Sequence, residues 1–126
     1  MYKSVLKPSL NNILIVENNS FIGKKIVSAI ENINSFKNVY STNSIQEATF
    51  FINKYSFQLI ILDLKLKDGN GLEILKMLKE KQIDVRVFVF SINKEFNKIC
   101  LKQGATGFYD KAKDFDILIE DIKKLN

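Results

Sequence analysis

Residues 57–75 read FQLIILDLKLKDGNGLEIL, a strand, a turn and a helix in immediate succession. Phe57 to Leu62 is apolar at nearly every position rather than at every second one. Such a run fits a strand buried on both faces, the usual state of strands in a parallel sheet. Asp63 follows it. Lys67-Asp68-Gly69-Asn70-Gly71 carries turn chemistry. Leu72, Leu75, Met77 and Leu78 then predict a helix to about Gln82. A carboxylate therefore sits at the carboxyl end of a buried strand.

The same alternation extends outward in both directions. Ile13-Leu14-Ile15-Val16 is a short apolar run, and Phe21 to Ile33 has helical spacing. Val39 to Thr42 reads as a strand. Ser44 predicts a helix cap, with Glu47 as its capping-box partner and the helix running through Lys54. On the other side Val85 to Phe90 predicts a strand, and Lys94 to Gln103 a helix stopped by Gly104. Thr106 to Tyr109 predicts a last strand and Phe115 to Leu125 a last helix. Five strands alternating with five helices imply an α/β, doubly wound parallel sheet with helices on both faces.

Composition narrows the chemistry. With 126 residues the chain is one domain's worth. A polar lead-in over residues 1–11, containing the single proline Pro8, is set apart from a domain over residues 12–126. Histidine is absent, which excludes His-based zinc sites and Ser-His-Asp or Cys-His nucleophile systems. Cys100 is the single cysteine and cannot form an internal bridge. It is expected to be buried or to lie on a helix face without chemistry. No apolar run is long enough to span a membrane and no secretory signal is visible, so a cytoplasmic setting is expected. The net charge is +5, but Arg86 is the single arginine and the lysines are scattered. Nucleic-acid readers favour clustered arginine, so a solvated lysine surface without direct nucleic-acid contact is the expected reading.

In doubly wound sheets, sites form outside the carboxyl ends of the strands. There the sequence places Glu17, Asn18 and Asn19, then Asp63, then Ser91, then Asp110 and Lys111. Each has an ordinary reading alone, as a cap, a turn residue or a solvated lysine. Together, a carboxylate pair, a hydroxyl and an ammonium group suit a dianionic phosphoryl group. Such a group must be held and its charge neutralised during transfer. Asp63 would be the nucleophile and form an acyl phosphate. Glu17 beside it would hold a hard cation such as Mg²⁺, without which two carboxylates repel an incoming phosphate. Lys111 would pair with one phosphoryl oxygen and Ser91 would donate a hydrogen bond to another.

These stretches resemble the receiver domain of two-component response regulators. The resemblance spans about Asn12 to Leu125 and rests on ILIVEN, LIILDLKLKDGNGLEIL, VFVFS and GATGFYDKAKDFDIL. It implies a flavodoxin-like three-layer sandwich with strand order 2-1-3-4-5. It implies that Asp63 is the phosphoacceptor, that Asp63, Ser91 and Lys111 do the phosphoryl chemistry, and that Ser91 and Tyr109 are switch residues. Glu17, Asn18, Asp63 and the Lys65 carbonyl would hold Mg²⁺. The partners implied are a sensor histidine kinase or phosphotransfer protein and a downstream protein target. The output face would be the fourth helix, fifth strand and fifth helix, with Lys98, Lys102, Lys113 and Asp114 as exposed candidates. The module would be a stand-alone receiver with no substrate turnover of its own.

Four positions depart from the family pattern. Asn18 replaces an acid, which should weaken Mg²⁺ binding. Ile92 follows Ser91 where a small residue is usual and should crowd the approach to Asp63. Lys67 and Ala112 stand where prolines are usual, the second affecting how Lys111 is placed. The alternative is a phosphorylation-independent interaction module on the same fold. A haloacid-dehalogenase-type phosphohydrolase would need a second acid at position 65, where Lys65 stands. A flavin carrier would need a Ser/Thr/Gly-rich loop, and residues 17–23 read ENNSFIG.

Overall fold

The computed structural model describes residues 11–33 and 36–125. The strands of the main sheet are β1 (Asn12–Val16), β2 (Asn38–Thr42), β3 (Leu59–Leu62), β4 (Arg86–Ser91) and β5 (Gly107–Asp110). The helices are α1 (Ser20–Ile30), α2 (Ile45–Lys54), α3 (Leu72–Glu80), α4 (Asn97–Lys102) and α5 (Phe115–Lys123). The sheet is parallel throughout, in spatial order β2-β1-β3-β4-β5. This is the doubly wound order expected.

Both faces of the sheet are covered, and strand alternation sorts the core into two layers. Leu14, Val16, Ile60, Leu62, Val87 and Val89 face Ala48 and Ile52 of α2, Ile74, Leu75 and Leu78 of α3, and Cys100 of α4. Ile13, Ile15, Leu59, Ile61, Phe88 and Phe90 face Ile26 and Ile30 of α1 and Leu118, Ile119 and Ile122 of α5. That is why the strand runs are apolar at consecutive positions.

The element ends differ from expectation in informative ways. Strand β4 runs one residue further than expected, so Ser91 is its last residue rather than the first after it. The helix expected over 94–103 is split: Lys94–Phe96 is 3-10, and regular helix begins at Asn97. Gly104 then stops it with a φ of 104°, in the left-handed region open to glycine. Helix α1 ends at Ile30, though Ile33 beyond it is still buried. Helix α5 ends at Lys123 rather than at Leu125.

Ser44 does cap α2, its hydroxyl accepting the Glu47 N–H at 3.1 Å. The reciprocal half of the expected capping box is taken by another group: the Ser44 N–H donates to Thr42 Oγ1 at 3.2 Å. The turn after Asp63 forms a small antiparallel hairpin, Lys65–Leu66 against Gly69–Asn70. The lead-in, apart from Asn11, lies outside the described residues.

Candidate functional site

Strands β1 and β3 are adjacent and parallel, with Val16 opposite Leu62. The residues that follow them, Glu17 and Asp63, therefore leave the sheet side by side. This is the point where successive connections depart in opposite directions, the crevice expected to carry a site. Strand β4 brings Ser91 opposite Asp110 of β5, and Lys111 follows directly, its N–H donating to the Ser91 carbonyl at 2.9 Å.

At the centre Lys111 bridges two carboxylates. Its Nζ lies 2.9 Å from Glu17 Oε2 and 3.2 Å from Asp63 Oδ2. The three side chains are 12%, 2% and 7% exposed for Lys111, Glu17 and Asp63. Charges this buried are tolerated only when paired and hydrogen-bonded. Backbone donors complete the pairing. Asp63 Oδ2 accepts the Asn18 N–H at 3.3 Å and Oδ1 accepts the Lys65 N–H at 3.2 Å. Glu17 Oε2 accepts the Asn19 N–H at 3.0 Å.

One cation between two carboxylates leaves a net negative pocket. Burial pushes the Glu17 carboxyl up to about 7, and the neighbouring Asp63 charge adds to the rise; the Asn19 N–H and Lys111 oppose it. The side-chain oxygens brought together here are those of two carboxylates, Glu17 and Asp63. That set suits a hard divalent cation such as Mg²⁺. Its carboxylate count is low, and among the described residues no three His, Cys, Asp or Glu side chains gather as a metal cluster.

The remaining candidates divide. Asn18 reaches Asp63 through its backbone N–H, and the residue is otherwise exposed. Ser91 is fully buried, and its Oγ accepts the Asn93 N–H at 3.0 Å. Tyr109 is turned away from α4. Its ring packs on Phe88 with centroids 5.2 Å apart, and its hydroxyl donates to Asp121 of α5 at 2.7 Å. Burial and the Asp121 carboxylate raise its phenol well above the usual range. The β5 aromatic that packs in the layer of α2, α3 and α4 is Phe108. The period of two along β5 separates these neighbours, and that signal was available in the sequence.

Ile92, expected to crowd Asp63, is 63% exposed. It stands on the rim of an open groove with Leu64, Lys65, Gly69, Asn70 and Phe96. Lys111 is in place although Ala112 follows it. Asp114, expected to be exposed, is half-buried, and its carboxylate accepts the Asp110 N–H at 2.9 Å. Lys98, Lys102 and Lys113 are exposed.

Comparison with known proteins agrees with this fold. The sequence model of the response regulator receiver domain matches residues 13–123. A nitrate/nitrite response regulator homolog of Haemophilus influenzae is 28% identical over 115 residues, 90% of this chain and 55% of that protein. The transcriptional regulatory protein MalR of Bacillus subtilis is 30% identical over 107 residues, 83% of this chain and 46% of that protein. The chain thus spans about half the length of these curated relatives. Among solved structures, a LuxR-family DNA-binding response regulator from Staphylococcus aureus superposes with a TM-score of 0.82 at 21% identity. That match covers 92% of this chain and 98% of the other. The HemR receiver domain of Leptospira biflexa superposes at 0.77 with 27% identity, covering 91% and 95% of the two chains. With the family match running over nearly the whole described chain, and the fold and strand order agreeing, the chain belongs to the response regulator receiver domain family.

Proposed function

We infer that this receiver takes a phosphoryl group onto Asp63 from a phosphohistidine of a sensor kinase or phosphotransfer protein. The observation that carries the reading is Lys111 Nζ within ion-pair distance of both Asp63 and Glu17 in a buried pocket. In the transfer an Asp63 carboxylate oxygen forms a bond to phosphorus as the N–P bond of the phosphohistidine breaks. The bonding electron pair goes to the imidazole nitrogen, and the product is an acyl phosphate. Lys111 neutralises a phosphoryl oxygen, and the Ser91 hydroxyl, still free to donate, supports another. The Lys65 and Asn18 N–H groups keep the carboxylate oriented. Mg²⁺ held by Glu17, Asn18, Asp63 and the Lys65 carbonyl would supply positive charge for the incoming phosphoryl oxygens. The protein acts as an acceptor and turns over no separate substrate.

The output is read as a protein contact through α4, β5 and α5, biased by the state of Asp63. The test is mass spectrometry after incubation with acetyl phosphate and Mg²⁺. Wild type gains one phosphoryl group, mapped to Asp63, and Asp63→Ala gains none. Equal modification of both proteins, or of neither, overturns the reading. Modification of neither favours the phosphorylation-independent interaction module.

A further inference from the structure

The hairpin after Asp63 carries Lys67, which leaves φ free where a proline would restrict it. A carboxylate holds this turn instead. Asp68 Oδ1 accepts the Ile45 N–H at 2.7 Å, and Oδ2 accepts the Gln46 N–H at 3.1 Å. These belong to the first turn of α2, whose N–H groups have no partner within the helix. Ser44 Oγ takes the next, that of Glu47. A carboxylate at a helix N-terminus is also favoured by the helix dipole. The Ile45 N–H above all holds the Asp68 carboxyl below its ordinary value.

Two further contacts fasten the same turn. The Lys67 N–H donates to the Asn43 carbonyl at 3.4 Å. Gly69 adopts a φ of 151°, and a Cβ there would meet Ile45 Cδ1 at 2.9 Å and Glu73 Oε2 at 3.0 Å. Glycine lets the turn lie against α2 and α3. The other strand of the hairpin reaches the site. Lys65 pairs with Asn70, and its N–H donates to Asp63 Oδ1 at 3.2 Å.

We propose that Asp68 is a positioning residue for Asp63. By clamping the hairpin to the first turn of α2, it fixes the backbone at Lys65. The Lys65 N–H orients the Asp63 carboxylate, and the Lys65 carbonyl is the oxygen read above as a cation ligand. Asp68 touches neither phosphoryl group nor cation and acts through the hairpin. The proposal rests on the reading of Asp63 as acceptor beside a Mg²⁺ site.

The test compares wild type, Asp68→Asn and Asp68→Ala. Amide chemical shifts and hydrogen exchange are recorded at Ile45, Gln46 and Lys65, together with Mg²⁺ titration and the thermal midpoint. In Asp68→Ala the Ile45 and Gln46 amides lose protection, the Lys65 amide resonance shifts, and Mg²⁺ binds roughly tenfold more weakly, as for lost outer-shell support. Asp68→Asn, which keeps one acceptor oxygen, falls between. Loss of protection at Ile45 and Gln46 with Lys65 and Mg²⁺ affinity unmoved overturns the proposal, leaving Asp68 as a helix cap alone. If wild type binds no Mg²⁺, the cation reading fails separately. The Lys65 resonance then decides: displacement sustains the clamp and constancy removes it.

Discussion

At the scale of single residues, charge count dominates the site. Lys111 serves two buried carboxylates at once, so each carboxylate is only partly compensated. Asn18 stands where another carboxylate would strengthen the pull on a cation. Asn18→Asp is expected to tighten Mg²⁺ binding, each tenfold corresponding to about 1.4 kcal/mol. Isothermal titration of both proteins measures it, and equal dissociation constants would remove position 18 from the site. Cys100 illustrates the opposite case, a reactive group made inert. It is fully buried, and burial pushes its thiol up to about 11. The thiolate is the reactive form, and at about pH 8 almost none exists in the folded chain. A thiol reagent is therefore expected to leave Cys100 unmodified in the native protein and to react fully in denaturant. Rapid native labelling would contradict the packing described for α4.

At the scale of elements, what matters is how each helix end is satisfied. The first turn of α2 uses side chains from two places, Ser44 beside it and Asp68 from the hairpin. Ser44→Ala removes one acceptor and is expected to cost about 1 kcal/mol in urea unfolding. The phosphorylation rate of the folded protein should stay unchanged, because Asp68 still holds the hairpin. The hairpin is also pinned at Gly71, whose N–H donates to the Leu64 carbonyl at 2.7 Å and where a Cβ would collide with the Asp63 carbonyl. Ser44 was legible as a cap because it acts on a neighbour three positions away. Asp68 read only as a turn residue, because its partners lie on another element. For the same reason the 3-10 start before α4 was not visible: Lys94 to Gln103 is spaced for one helix.

At the scale of the whole molecule, one sheet carries two hydrophobic layers on opposite faces. Leu75 belongs to the layer of α2, α3 and α4, and Ile122 to the layer of α1 and α5. Leu75→Ala and Ile122→Ala are each expected to cost about 2–5 kcal/mol, and the double variant to show nearly additive loss, since the sheet separates the sites. Both layers share the strands, so unfolding should remain a single transition. Circular dichroism and tyrosine fluorescence followed through urea test this. Two separated transitions would mean that the layers fold independently.

The alternation of strands and helices, the parallel sheet and the strand ends bearing Glu17, Asp63, Ser91 and Lys111 were all readable from the sequence. They depend on local apolar period and on polar residues directly following apolar runs, which need no knowledge of distant partners. How those residues face one another is set by the packing of the elements. That packing placed the Lys111 ammonium between Glu17 and Asp63 and brought Asn18 to Asp63 by its backbone N–H. It turned Tyr109 to Asp121 and left Ile92 on an open rim. It also carried Asp68 to the first turn of α2. Most of these join groups far apart in the chain, or choose between the two faces of one strand. Such choices follow from packing the layers together, which the spacing of residues along a single element does not encode.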